Sequence, residues 1–101
     1  MLLKLNKWNV RIVNTGDNYG LNMCLLNVKA PMVEFYDVRY RHTPYGQFVS
    51  RYYISTILSQ DSRGGEYSNG LCLDGRVPAW HVSAEDMQQV ITFLKVHNGN
   101  T

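Results

Sequence analysis

The first clear pattern along the chain is an alternation over Trp8-Asn9-Val10-Arg11-Ile12-Val13, with Trp8, Val10 and Ile12 on one side and Asn9 and Arg11 on the other. A period of two with apolar residues on one side predicts a half-buried strand. Thr15-Gly16-Asp17-Asn18-Tyr19-Gly20 then collects turn formers, including two glycines able to take positive φ. Leu21 to Leu26 reads as a second strand and Val28-Lys29-Ala30-Pro31 as a turn. Met32 to Tyr40 reads as a third strand, rich in aromatic and β-branched residues. Its two sides, Val33, Phe35, Asp37, Arg39 and Met32, Glu34, Tyr36, Val38, Tyr40, are both mixed. Partial cover is therefore expected on both, as in a central strand under a helix.

Gly46 to Gln60 offers two readings. Its β-branched and aromatic content suits a strand. Against that, Thr43-Pro44 supplies a capping hydroxyl followed by proline, a helix start signal. Phe48 and Tyr52, then Val49, Tyr53 and Ile57, recur at helical spacing, and Gly64-Gly65 supplies a stop. The run also exceeds the usual strand length. The pattern thus predicts a helix from about Pro44 to Gln60.

The last third is plainer. Leu71-Cys72-Leu73 and Ala79-Trp80-His81-Val82 flank the hairpin dipeptide Asp74-Gly75, through a loop longer than two residues. Ser83-Ala84-Glu85-Asp86 opens a helix with a capping hydroxyl and acidic residues at the positive end of the dipole. Met87, Val90, Ile91 and Leu94 form its apolar stripe, and Asn98-Gly99 ends it. The expected architecture is α+β, in the order β-β-β-α-β-β-α. About five strands form an antiparallel or mixed sheet with two helices on one face.

Composition sharpens this. A chain of 101 residues, 45% hydrophobic and 18% charged, fits one globular domain over residues 1–101. No apolar run approaches the ~20 residues needed to cross a bilayer, and Met1-Leu2-Leu3-Lys4-Leu5 does not read as a secretory signal. A cytoplasmic protein is expected. Cys24 and Cys72 each sit in an apolar run and are read as reduced core residues. There is no Cys-x-x-Cys pair, and His42, His81 and His97 are widely separated, so neither a metal nor another cofactor is expected. A net charge of +2 and a pI near 8.6 fall short of the strongly basic face of a dedicated nucleic-acid binder.

The search for chemistry yields no catalytic residue. The Gly16 to Gly20 turn lacks the lysine and glycine pattern of a phosphate loop, leaving Asp17 and Tyr19 as outside candidates for ligand contact. Ser50 and Ser55 have no adjacent base. Cys24 or Cys72 with His42 or His81 would suit a nucleophile and base, but so would chance pairs in most proteins. The densest feature is Asp37-Val38-Arg39-Tyr40-Arg41-His42, followed by Arg51-Tyr52-Tyr53. Guanidinium groups and aromatic rings serve phosphate contact and base stacking, and the same residues are enriched at protein interfaces. Arg39, Tyr40, Arg41, His42, Arg51 and Tyr52 are therefore the binding candidates. The competing reading pairs Arg39 with Asp37 or Glu34 and puts the tyrosines in the core.

Trp8 to Asp17 and Gly46-Gln47-Phe48-Val49-Ser50-Arg51-Tyr52-Tyr53 resemble stretches of small uncharacterised proteins of bacterial mobile elements, integron gene cassettes and phages among them. That resemblance implies a bacterial source and an accessory role exercised by binding, and it supplies no active-site residues. Three functions follow in order: a small non-enzymatic protein that binds another protein, as a monomer or homodimer; a weak nucleic-acid binder through the Arg/Tyr cluster; and a small-molecule binder with a pocket lined by Trp80, Phe35 and Tyr36. No membrane association is expected.

Overall fold

The computed structural model describes residues 2–14, 31–62, 70–73 and 78–98. Strands β1 (Leu2–Lys4), β2 (Trp8–Asn14), β3 (Pro31–Asp37) and β4 (Gln47–Tyr53) form an antiparallel sheet in the order β1-β2-β3-β4. Helix α1 (Ile54–Ser62) follows, then a short ladder of β5 (Leu71–Cys72) with β6 (His81–Val82), and finally helix α2 (Ala84–Asn98). The fold is α+β, as the pattern predicts. Among the described residues there is, instead of one sheet of about five strands, a four-stranded sheet and a separate two-stranded ladder. β1 is too short to announce itself by periodicity, and its pairing with β2 defines it. The expected turn at Thr15 to Gly20, the strand at Leu21 to Leu26 and the signals at Gly64-Gly65, Asp74-Gly75 and Gly99 lie outside the described residues.

The core forms on one face of the sheet. Alternation turns Trp8 and Val10 of β2 and Val33 and Phe35 of β3 to this side, with Val10 opposite Phe35. Ile54 and Ile57 of α1, one helical turn apart, pack into the same cluster with Leu73 and Val82 from around the ladder. Met87, Val90, Ile91 and Leu94 of α2 complete it, each 2% exposed or less. Each such side chain contributes roughly 1.5–3 kcal/mol through its removal from water. The start of α2 is capped as expected: Ser83 Oγ accepts the Asp86 N–H at 3.2 Å, and Glu85 and Asp86 occupy the first turn.

The predicted helix from Pro44 to Gln60 is corrected. Only its second half is helical; Gln47–Tyr53 is a strand, and α1 starts at Ile54. The apparent start signal belongs to a tight turn. Thr43 and Gly46 exchange N–H···O bonds at 3.1 Å. Thr43 Oγ1 accepts the Tyr45 N–H at 3.1 Å and donates to the Gly46 carbonyl at 2.7 Å. A hydroxyl able to cap a helix serves a local turn equally well. Gly46 is required here: its φ is +124°, and a Cβ would stand 2.5 Å from the Asp37 carbonyl oxygen.

The spacing of four between Phe48 and Tyr52 and between Val49 and Tyr53 fits a strand's period of two as well as a helix. Phe35 pairs with Ser50 and Tyr36 with Phe48, so Val49 is the extra residue of a β-bulge. One added residue reverses the facing of everything before it, so Phe48 and Tyr52 lie on opposite faces. β3 likewise ends at Asp37 rather than Tyr40. Asp37 Oδ1 accepts the Arg39 N–H at 3.0 Å and the Asp37 carbonyl accepts that of Tyr40 at 3.4 Å, turning the chain. The strand expected from Ala79 begins at His81, after a 3₁₀ turn over Pro78–Trp80.

Candidate functional site

The second face of the sheet carries three rows of side chains, fixed by strand register. In the middle row Leu2, Arg11, Glu34 and Arg51 lie side by side across β1 to β4. To one side run Lys4, Asn9, Tyr36 and Phe48, and to the other Val13, Met32 and Tyr53. A charged row thus separates a row that is aromatic on β3 and β4 and polar on β1 and β2 from a largely apolar one. Rows two residues apart along the strands are about 7 Å apart.

Glu34 organises the middle row. It is 4% exposed, a costly position for a carboxylate unless its oxygens are paired and hydrogen-bonded. Both oxygens are. Oε1 accepts the Tyr36 hydroxyl at 2.7 Å and Arg11 Nη1 at 3.4 Å. Oε2 accepts Arg51 Nε at 2.9 Å and faces Arg51 Nη2 at 2.8 Å. Burial, followed by the hydrogen bond to Glu34, raises the Tyr36 phenol above its ordinary pKa, so it stays a donor throughout the neutral range. The two arginine side chains keep 35% and 39% of their surface exposed.

The Thr43-to-Gly46 turn adds an aromatic flank. It holds the Tyr45 ring 5.4 Å from that of Tyr36, and the Arg11 guanidinium lies 4.5 Å from the Tyr45 ring centre. Asn9 Nδ2 donates to the Tyr45 carbonyl at 2.6 Å. The bulge at Val49 brings Phe48 to this face, edge-on to Tyr36 at 5.7 Å. Without that extra residue Phe48 would point to the core side with Ser50 and Tyr52.

The structure divides the six binding candidates. Arg51 belongs to the middle row just described. Tyr52 points the opposite way, edge-on to Phe35 at 6.0 Å, and donates its hydroxyl to the Leu73 carbonyl at 3.0 Å. Arg39 is bound to Asp37, its Nε reaching Oδ1 at 3.0 Å and its Nη2 reaching Oδ2 at 2.7 Å. Those bonds hold the Asp37 carboxyl below its ordinary pKa despite full burial. Arg39 Nη2 and Lys7 Nζ also reach the Ala79 carbonyl, tying the 3₁₀ turn to the end of β3. Tyr40, Arg41 and His42 are exposed on the connection to β4.

The remaining candidates are likewise scattered. Trp80 is half-buried against the core, Phe35 is buried within it, and Tyr36 lies on the other face. The sheet therefore lies between Tyr36 and the other two. Asp17, Tyr19 and Cys24 lie outside the described residues. Cys72 is half-buried opposite His81 in the β5–β6 ladder, and the His81 ring lies against Gly70.

Sequence reasoning missed Arg11, Glu34, Tyr36, Tyr45, Phe48 and Leu2 as one surface. The alternation of β2 and β3 already put Arg11 and Glu34 on non-core sides. Their adjacency needed the register, and Phe48 needed the bulge.

Among the described residues, no three His, Cys, Asp or Glu side chains gather as a metal site. None of the described helices is long and apolar enough to cross a membrane. No protein-family model, curated protein or solved structure matches the chain.

Proposed function

We propose that the protein acts by binding another protein through the second face of its sheet. One observation carries the reading. Of the five large hydrophobic side chains exposed among the described residues, three (Leu2, Phe48 and Tyr53) lie on this face, around Arg11 and Arg51. Exposed apolar groups gathered on one surface and mixed with Arg and Tyr are the composition of an interface centre.

The other readings find less support. A nucleic-acid binder needs cations committed to phosphates, whereas Arg39 is committed to Asp37 and Arg51 to Glu34. A small-molecule pocket between Trp80, Phe35 and Tyr36 is split by the sheet itself. We place this binding role in the cytoplasm, in an accessory protein of a bacterial mobile element, the accessory role being what the sequence resemblance implies.

Site-specific photo-crosslinking in bacterial cells tests it. A benzophenone amino acid in place of Phe48 or Tyr53 should give a discrete protein adduct, and the same group in place of Val96 on α2 should not. Val96 is the more exposed position, at 57% against 44% for Phe48, so exposure alone would favour the control. Equal labelling from Val96, or no adduct from the sheet positions, would remove the basis of the proposal.

A further inference from the structure

We infer that Arg11 is the anchor of this face and Tyr45 its positioning residue. Tyr45 holds the Arg11 guanidinium off Glu34, so that donors left on Arg11 meet acceptor oxygens of the partner. This rests on the binding role proposed above and names the residue that the partner engages.

Register makes Arg11 and Arg51 equivalent neighbours of Glu34, one on either side of it in the middle row. Their contacts are not equivalent. Arg51 closes on Glu34 with two nitrogens, at 2.9 and 2.8 Å. Arg11 reaches it with one, at 3.4 Å, near the limit of a useful hydrogen bond. Tyr36 is one cause, because its hydroxyl bonds the same oxygen, Oε1, at 2.7 Å. Tyr45 is the other. The Arg11 guanidinium lies 4.5 Å from its ring centre, within the range at which an aromatic face attracts a cation.

The Tyr45 ring is itself fixed. Its backbone N–H is bonded to Thr43 Oγ1 at 3.1 Å, and its carbonyl accepts Asn9 Nδ2 at 2.6 Å. The ring leans on that of Tyr36 at 5.4 Å. Arg11 thus rests on a preformed support, and less of its side-chain freedom is left to lose when a partner docks.

Donor counting gives Arg11 its role. A guanidinium carries about five N–H donors. Arg11 directs donors to Glu34 and to the Tyr36 hydroxyl, and among the described residues its guanidinium meets no other acceptor. About three donors therefore remain, on a side chain more than a third exposed and flanked by the exposed Leu2. A guanidinium backed by an aromatic ring and bordered by apolar groups makes charge-assisted hydrogen bonds in a partly desolvated setting, which is where arginine carries binding energy.

Photo-crosslinking in bacterial cells tests the inference. A benzophenone amino acid at Tyr53, across the middle row from Tyr45, reports partner capture through the yield of its protein adduct. Arg11→Ala should lower that yield at least about fivefold. The variant stays folded, because Glu34 keeps Arg51 and Tyr36. Tyr45→Leu should lower the yield about as much. Tyr45→Phe should leave it within about twofold of the parent, since the ring and not the hydroxyl carries Arg11. Added to Arg11→Ala, Tyr45→Leu should have no further effect, whereas a merely structural loss would add to it. An unchanged yield from Arg11→Ala overturns the anchor. Equal losses from Tyr45→Phe and Tyr45→Leu, or a Tyr45→Leu loss that persists without Arg11, overturn the positioning role. In each of those cases the parent adduct still supports the binding face, whereas a parent that gives no adduct at Tyr53 removes both.

Discussion

Phe35→Ala is expected to destabilise the protein by about 3–5 kcal/mol, and Phe48→Ala by no more than about 1. The two phenylalanines belong to neighbouring strands of one sheet, β3 and β4, and differ in the face they occupy. Phe35 is fully buried between β2, β4 and the helices, touching Tyr52 edge-on, so truncation leaves a cavity that the rigid sheet cannot close. Phe48 is 44% exposed and touches Tyr36 and the Arg51 guanidinium from outside. Denaturant unfolding of the two variants beside the parent measures the difference. Equal losses would mean that Phe48 belongs to the core and that the bulge at Val49 is misplaced.

Gly46→Ala is the second large effect, at least about 2 kcal/mol. A non-glycine residue at φ +124° carries strain of order 1–3 kcal/mol. The new Cβ also meets the Asp37 carbonyl oxygen at 2.5 Å, and that oxygen belongs to backbone, which does not swing aside like a side chain. The carbonyl accepts the Tyr40 N–H, and the Asp37 side chain holds Arg39, so the disturbance reaches the whole β3–β4 connection. Tyr45, one residue away, should lose its seat on Tyr36 and Arg11. The measurements are the unfolding midpoint and the near-ultraviolet circular dichroism of the native state. An unchanged midpoint would show that the turn has another shape.

Elements that announce themselves locally were legible in the sequence. α2 shows its cap at Ser83, its acidic first turn and an apolar stripe that proves fully buried, because each depends on residues within a few positions of one another. β2 was legible for the same reason, since one of its faces is core and the other is not.

β4 was not legible. Its bulge breaks the period of two, and the Thr43-Pro44 pair is chemically suited to both a helix start and a turn. The candidate surface was half legible. Arg51 stood out as part of an Arg/Tyr cluster, yet its partners Glu34 and Arg11 come from two other strands, and only the ladder register aligns them. Proximity in sequence also suggested companions for Arg51 that the fold separates. Tyr52 faces the core, and Arg39 is held by Asp37.

The central claim is that one face of this sheet holds the protein together and the other binds a partner. The most direct test is the affinity of the partner recovered by crosslinking at Phe48, purified and measured against the parent and a Phe48→Ala, Tyr53→Ala double variant, with unfolding followed on the same samples. The account predicts that the double variant stays folded, within about 2 kcal/mol of the parent. It should bind at least about a hundredfold more weakly, as expected when two central aromatic contacts are removed. A folded double variant that binds as tightly as the parent would contradict it.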